Sequence, residues 1–88
     1  MLTYTLVPVV SYYDLEETIK YELGIDIDVR ETFFGDNIES FEMLYFDDCI
    51  EYAGEEYEND LTPEDGQKIY NYLKNFFPHY TGILVDLG

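Results

Sequence analysis

The chain is poor in the residues on which many function classes depend. Its 88 residues include four Lys and Arg, one Cys, one His and no Trp. The lone Cys49 excludes a disulfide within the chain. The sequence also shows no basic and apolar N-terminal signal, and no apolar run long enough to span a membrane. We therefore expect a reduced, cytoplasmic protein.

Acidic residues are what the chain has in excess. It contains 20 Asp and Glu against 4 Lys and Arg, for a formal net charge of −16. Charge repulsion of this size destabilises a compact state, so we expect the acid to serve a function. Nucleic acids and anionic membranes would be repelled by this field rather than bound. The expected partner is therefore a basic protein surface.

The rest of the composition fits one folded domain over residues 1–88. Hydrophobic residues make up 47% of the chain and aromatic residues 18%, which is too much apolar material for a disordered acidic tail. No internal repeat and no Gly/Ser-rich or Pro-rich linker divides the sequence.

The first third of the chain predicts a strand followed by a helix. Residues 2–10 are rich in β-branched and aromatic side chains, which favours a strand, and Pro8 suggests a sheet edge or a bend. The helix that follows would be capped by Ser11 or Asp14 and would end at Gly24. The apolar face of this helix would consist of Leu15, Thr18, Ile19 and Leu23.

The middle of the chain predicts two strands. Residues 25–29 alternate apolar and polar side chains, with the apolar ones on one side. Residues 40–46 also alternate, and the turn residues 35–37 favour an antiparallel return. A helix over residues 37–52 is the alternative, because the apolar side chains there fit no single period.

The last third predicts a helix and a final strand. Thr62 is a suitable cap with Pro63 at the first helical position, and Pro78 ends the helix. Residues 83–87 would form the last strand. The buried stripe of the helix would consist of Ile69, Leu73, Phe76 and Phe77. The order β-α-β-β-α-β indicates an α+β fold, with two helices on one face of a small antiparallel sheet.

The sequence does not favour an enzyme. His79 is the sole imidazole and lies beside a proline, with no Ser or Cys placed to use it as a base. Surrounding carboxylates would raise the pKa of Cys49, which argues against a reactive thiol. No glycine-rich phosphate loop is present. We expect no catalytic residue and no cofactor.

A calcium site is the rival use of so many carboxylates. Residues 60–66 place oxygen ligands at alternate positions, as a calcium-binding loop does. However, Asp65 occupies the sixth position, where an EF-hand loop requires the glycine that comes here only at Gly66. The register is wrong, and no metal site is expected.

The spacing of the acids suggests imitation of nucleic acid. Side chains on one face of a strand recur about every 6.6 Å, and residues i and i+4 of a helix lie about 6 Å apart. Both spacings are close to that of phosphates along a DNA strand. No basic residue interrupts residues 31–67, and Tyr side chains among the acids could stack on Arg. The predicted partner-binding residues are Asp36, Glu39, Glu42, Asp47, Asp48, Glu51, Tyr52, Glu55, Glu56, Tyr57, Glu58 and Asp60. A solubilising acidic coat is the simpler interpretation.

In size, acidity, Tyr content and lack of catalytic residues, the whole chain resembles the DNA-mimic inhibitors encoded by phages and mobile elements. These include anti-CRISPR and anti-restriction proteins. The resemblance implies a stoichiometric inhibitor, monomeric or weakly dimeric, that occupies the DNA or guide-RNA channel of a host defence nuclease in the host cytoplasm. It implies no cofactor.

Three segments, "DLEETIKYEL", "FFGDNIESF" and "LTPEDG", are similar to the barstar family of ribonuclease inhibitors. The matching residues of the signature are Phe33, Phe34, Gly35 and Asn37. In that family the signature leads into an acidic helix that plugs the nuclease site, which would make Glu39 an inhibitory acid. Met43 departs from the pattern, and the acidic stretch 47–60 has no counterpart. This resemblance implies an immunity protein of a ribonuclease.

An acidic structural or assembly protein that oligomerises through its aromatic strands is a third possibility. It predicts a concentration-dependent oligomer and no basic partner. The mimic predicts tight binding to a nucleic-acid enzyme and competition with the nucleic acid.

Overall fold

A computed structural model describes residues 6–35, 39–51, 53 and 61–88 of the chain. Three strands and two long helices form its framework, joined by a π-helical turn and a short helix. In chain order these are β1 (Val9–Ser11), α1 (Tyr12–Leu23), the π-helical turn (Arg30–Phe34), β2 (Phe41–Tyr45), α2 (Asp48–Glu51), α3 (Pro63–Phe76) and β3 (Gly82–Asp86). The predicted α+β class is confirmed.

The three strands form a mixed sheet in the order β1-β3-β2. The central β3 is parallel to β1, with Val85 beside Val10, and antiparallel to β2, with Ile83 opposite Leu44. The prediction of an antiparallel sheet therefore holds for one of the two pairings. The parallel pairing follows from the long connection between β1 and β3, which runs through every other element of the chain.

The strand predicted over residues 25–29 is wrong. Residues 24–28 have no regular secondary structure, and the helical turn begins directly after them. The alternation is nevertheless reflected in burial, since Ile25 and Val29 are both buried in the core. The side chain of Asp28 accepts a hydrogen bond from the Glu31 N–H at 3.1 Å, which favours a helical start over sheet pairing. In this segment the alternation of apolar side chains predicts correctly that Ile25 and Val29 are buried, but the backbone does not form a strand.

The ends of both long helices agree with the sequence. Ser11 caps α1 by accepting from the Tyr13 N–H at 3.2 Å, whereas Asp14 lies in the first turn. Gly24 ends α1 in the left-handed conformation with φ of 71°. Thr62 caps α3 by accepting from the Asp65 N–H at 3.1 Å, with Pro63 at the first position.

One core joins the helices to the sheet. Leu15 and Ile19 of α1 and Ile69 and Leu73 of α3 are buried against Ile83 in a single apolar cluster. Both helices therefore cover the same face of the sheet, as predicted. Among the residues that the structure describes, no helix is long and apolar enough to cross a membrane.

The remaining predicted elements differ in detail. The strand expected over residues 40–46 is present as β2. The alternative of a helix over residues 37–52 is therefore wrong for residues 41–45, although the short helix α2 lies within that range. Phe76 was expected in the buried stripe of α3 but is 65% exposed, because it lies at the last turn of the helix beyond the edge of the core. The first part of the predicted strand 2–10 falls outside the described residues.

Candidate functional site

The sheet has an apolar face on the side away from the core. Side chains alternate along β2, so buried Leu44 points to the helices and its neighbours Met43 and Tyr45 point the opposite way. The strand register aligns Met43 with Leu84 and Leu84 with Val9 in one row across the sheet. We call this surface the outer face. Its apolar side chains are Val9, Phe41, Met43, Tyr45 and Leu84, and the half-buried Asp86 lies beside Phe41 on the same side of the sheet.

Three apolar side chains of the outer face are exposed to solvent. Phe41 is 49% exposed, Tyr45 52% and Val9 59%. Gly82 is buried opposite Tyr45, and a Cβ atom there would lie 3.2 Å from Cε of Met43 and 2.8 Å from the Leu44 carbonyl oxygen. Met43 therefore lies across the sheet over this glycine, and the two rings of β2 lie on either side of it. Half-exposed aromatic rings on a protein surface are typical of binding sites for other proteins.

Five of the predicted partner-binding acids fall within the described residues, and they lie around β2. Glu39 precedes the strand, Glu42 belongs to it, and the remaining three follow it in the turn and in α2. The acids that follow the strand are Asp47, Asp48 and Glu51. We call these five residues the β2 acids. Glu39, Asp47 and Glu51 are exposed, whereas Glu42 and Asp48 are half-buried.

The β2 acids do not form the continuous row that the sequence suggested. Phe41–Tyr45 covers about 14 Å at the rise of a strand, so Glu39 lies at one end of β2 and Asp47, Asp48 and Glu51 lie at the other. Glu42 lies within the strand, on the side opposite to the outer face. The other predicted partner-binding residues lie outside the described residues. They are Asp36, Tyr52, Glu55, Glu56, Tyr57, Glu58 and Asp60.

The acids after β2 are held in place by a tight backbone turn. The N–H of buried Phe46 donates to the Thr81 carbonyl at 2.9 Å, which fixes the end of the strand. The N–H groups of Ile50 and Glu51 then donate to the Asp47 carbonyl at 3.1 and 3.0 Å. Cys49 is fully buried beneath this turn, and that burial, followed by the charge of Asp48, raises the pKa of the Cys49 thiol to about 12. The thiol is therefore protonated and unreactive at neutral pH.

Three of the four basic residues have defined partners on the rest of the surface. Lys68 lies 3.8 Å from Glu64 one turn away in α3, and Lys74 donates to the Tyr80 carbonyl at 3.4 Å. Arg30 lies 5.5 Å above the ring of Tyr12. The Lys68 contact is exposed and the Lys74 contact is partly buried, and the chain remains strongly negative overall.

Two further recesses are present. An apolar groove of about 170 Å³ lies between α1 and α3, with Val10 and Ile83 at its base and the exposed Phe76 at its rim. A polar recess beside α1 contains Tyr13, whose pKa is raised by its hydrogen bond with Glu17. The lining of the apolar groove contains no acidic, basic or imidazole side chain, and His79 is exposed beyond the end of α3. Within the described parts of the chain, no three His, Cys, Asp or Glu side chains are grouped so as to hold a metal ion.

Sequence reasoning missed Phe41 and Met43 as site residues and did not include Tyr45 in the predicted set. The signal was present in "SFEMLYF", where both sides of an alternating strand are apolar. A strand with only one buried face needs apolar residues on one side only, so the second apolar side indicates a further contact.

Comparison with known proteins gives no relative: no family model matches the sequence, and no curated protein and no solved structure matches the chain.

Proposed function

We propose that the protein is a stoichiometric inhibitor that blocks the basic nucleic-acid channel of a host defence nuclease of the CRISPR or restriction type. It acts in the host cytoplasm, without a cofactor, as a monomer or weak dimer. The observation that carries this proposal is the position of exposed aromatic side chains of the outer face between carboxylates that lie before and after β2.

This combination is typical of a protein-binding surface. Interface centres are rich in aromatic residues and Met, and their rims are polar. Phe41, Met43 and Tyr45 supply the apolar centre, and the acids before and after β2, Glu39, Asp47, Asp48 and Glu51, supply the rim. A coat that serves solubility alone gains nothing from half-exposed rings, because exposed apolar patches promote association. The rings therefore favour a partner over a solvated coat.

The charge determines the class of the partner. A net charge of −16 repels acidic surfaces and attracts basic ones at a distance, which speeds association with a positively charged channel. Channels that hold DNA or RNA are the most basic surfaces of nucleic-acid enzymes. The same charge opposes self-association, so the assembly protein is the less favoured alternative.

The barstar-like alternative is less favoured on the geometry after Gly35. Phe33 and Phe34 contact each other with ring centroids 6.5 Å apart, and Phe33 is buried in the core. The segment Phe41–Tyr45 that follows is a strand, whereas the barstar resemblance implies an acidic helix after the glycine. The strand at 41–45, within the described residues that follow Gly35, therefore favours the mimic over an inhibitor that acts through an acidic helix there.

The proposal is tested with a panel of purified RNA-guided effectors and restriction nucleases. Each is titrated with the protein while binding of labelled DNA or guide RNA and cleavage are followed. The proposal expects that at least one enzyme loses nucleic-acid binding at about one inhibitor per site, and that its activity returns when the complex is dissociated. Absence of displacement throughout the panel, together with a concentration-dependent oligomer in sedimentation, would instead support the assembly protein.

A further inference from the structure

The edge of the sheet at β2 has a defined hydrogen-bonding direction. The Phe46 N–H bonds to the Thr81 carbonyl, and the Leu87 N–H bonds to the Ser40 carbonyl at 2.7 Å. Because backbone groups of an antiparallel strand alternate in direction, residues 40, 42, 44 and 46 face β3. The N–H and C=O groups of Phe41, Met43 and Tyr45 therefore point to the opposite edge.

No strand among the described residues pairs with that edge, since β2 is the last strand in the order β1-β3-β2. An edge with outward backbone groups and exposed apolar side chains is a template for another strand. The same three residues that direct their backbone outward also place their side chains on the outer face. A strand added at β2 would thus gain backbone hydrogen bonds and a row of apolar contacts together.

We propose that β2 is a docking edge, to which an extended segment of the basic partner adds as a fourth strand. This inference rests on the proposed function, because it takes the basic partner from there and specifies how it is held. The occupant is an extended segment with Lys or Arg at both ends and apolar residues at the alternate positions that face Met43.

Charge complementarity selects this occupant over a second copy of the chain. In antiparallel pairing of two β2 edges, Glu39 of one copy would lie near Asp47 of the other, and in parallel pairing each acid would lie near itself. Like charges across paired strands are destabilising. A basic segment meets opposite charges at both ends instead, near Glu39 at the start of β2 and near Asp47 and Asp48 after it.

The alternating pattern of the occupant follows from the strand geometry. Its side chains on the outer face would pack beside Phe41, Met43 and Tyr45, so they are apolar. Those on the opposite side of the added strand would lie next to the half-buried Glu42, so at least one of them is basic. A block of basic residues followed by a block of apolar ones has the same charge but cannot satisfy both sides.

The test uses an acetylated and amidated peptide of about seven residues in which Lys and Val alternate, with Lys at both ends. Controls are a peptide of the same composition with all Lys before all Val, and one with Glu in place of Lys. Binding to the full chain is measured by fluorescence anisotropy at low salt. Amide hydrogen exchange at Phe41, Met43 and Tyr45 is followed by NMR. We expect the alternating peptide to bind at least tenfold more tightly than either control and to slow exchange at these three amides.

Two proline variants provide a matched comparison. Met43→Pro removes an N–H that points away from β3, toward the outer edge of β2, and proline is tolerated at such positions. Val9→Pro makes the same change at the other edge, because the Leu84 N–H bonds to the Pro8 carbonyl at 2.9 Å and leaves the Val9 N–H directed outward. Met43→Pro should weaken binding of the alternating peptide at least tenfold. Val9→Pro alters the outer face two strands away but leaves the backbone of β2 intact, so it should weaken binding much less than Met43→Pro does. Circular dichroism checks the fold of both variants, and if Met43→Pro does not fold, the exchange measurement on the natural chain decides.

Equal binding of the alternating and block peptides, or unchanged exchange at the three amides on binding, would overturn the inference. If exchange at these amides is slow without peptide and becomes slower as the protein concentration rises, a second copy of the chain occupies the edge. That result would also overturn the inference. The test is separable from the nuclease panel. If the peptide binds at β2 but no nuclease is inhibited, only the proposed target class is contradicted. If the folded Met43→Pro variant still inhibits a nuclease fully, only the proposed docking at β2 is contradicted.

Discussion

The backbone N–H of Val29 donates a hydrogen bond to Oε1 of Glu16 at 2.7 Å. This contact joins the middle of α1 to the start of the π-helical turn, two segments separated by thirteen positions, and it lies beside the fully buried side chain of Val29. One of the 20 acids therefore has a structural role.

Glu16→Ala should destabilise the fold, because the Val29 N–H would lose its acceptor in a partly buried position. We expect a loss of about 1 to 3 kcal/mol in the free energy of unfolding. Glu16→Gln keeps an acceptor oxygen and should lose less. Glu17→Ala, at an exposed neighbouring position, is the control and should change stability by less than about 0.5 kcal/mol. Urea denaturation measures all three, and equal effects of Glu16→Ala and Glu17→Ala would show that the contact contributes nothing.

Gly66→Ala should also destabilise the protein, against the usual direction for a helix. In an exposed helix this change stabilises by up to about 1 kcal/mol. Here a Cβ atom would overlap the carbonyl oxygen of Cys49 and lie 2.5 Å from Cβ of Ala53, where α3 passes the α2 segment. We expect a loss of about 1 to 3 kcal/mol. A thermal melt at or above that of the natural chain would show that this packing is loose.

Cys49 gives a pH dependence of stability. Its pKa is about 12 in the folded protein, against 9.0 for an ordinary thiol, so between these values the unfolded chain releases a proton that the folded chain keeps. The unfolded state then binds fewer protons, and stability falls as pH rises through this range. The contribution is fully present below pH 9.0. Cys49→Ala should flatten the decline measured by urea denaturation between about pH 8.5 and 10.5. An unchanged slope would contradict this assignment.

The same burial predicts that thiol reagents modify Cys49 only when the chain unfolds. Labelling by a maleimide at pH 7 should be slow in native buffer and complete in denaturant. Cys49→Ser should leave binding to the partner within about twofold in a folded variant, because the thiol has no chemical role in a mimic. Labelling of the native protein as fast as that of a free thiol would show that the site is accessible.

The sequence was sufficient for the elements whose local signals agree with each other. Ser11, Gly24, Thr62 and Pro63 mark helix ends by their own backbone chemistry, and those ends were predicted correctly. The strand predicted over residues 25–29 was wrong because alternation of apolar side chains indicates burial, and over so few residues the same pattern fits burial outside a sheet. The conformation of this segment depends on hydrogen bonds to Asp28 and Glu16, which cannot be predicted from the periodicity of apolar residues.

The candidate site was predictable in its charge and not in its centre. The acids around β2 were identified because residue type alone determines where the charges lie in the sequence. The outer face requires knowledge of which strand is the sheet edge and which side the helices cover. Both are properties of the tertiary arrangement, so Phe41 and Met43 entered the site only with the strand order β1-β3-β2.

Charge reversal distinguishes a placed surface from bulk charge. Changing Asp47, Asp48 and Glu51 to Lys should weaken the complex with the target by at least about tenfold, since the rim of the outer face would repel the basic partner. Changing Glu17, Glu22 and Asp26 to Lys makes the same change in net charge at exposed positions on and after α1. This control should weaken the complex much less. Both are measured by titration with the target, with circular dichroism to confirm the fold, and equal losses would show that net charge alone matters.

The most direct test of nucleic-acid mimicry is the rate of association with the target nuclease at different salt concentrations, measured by stopped flow alongside competition with DNA or RNA. Screening shortens the reach of the charges from about 10 Å at 0.1 M salt to about 3 Å at 1 M. For a mimic, the association rate should fall at least about tenfold over this range while the dissociation rate changes much less, because the apolar contacts of the outer face are poorly screened. Bound protein should also exclude nucleic acid. A flat association rate together with simultaneous binding of protein and nucleic acid would contradict the mimic and leave the acid as a solvated coat.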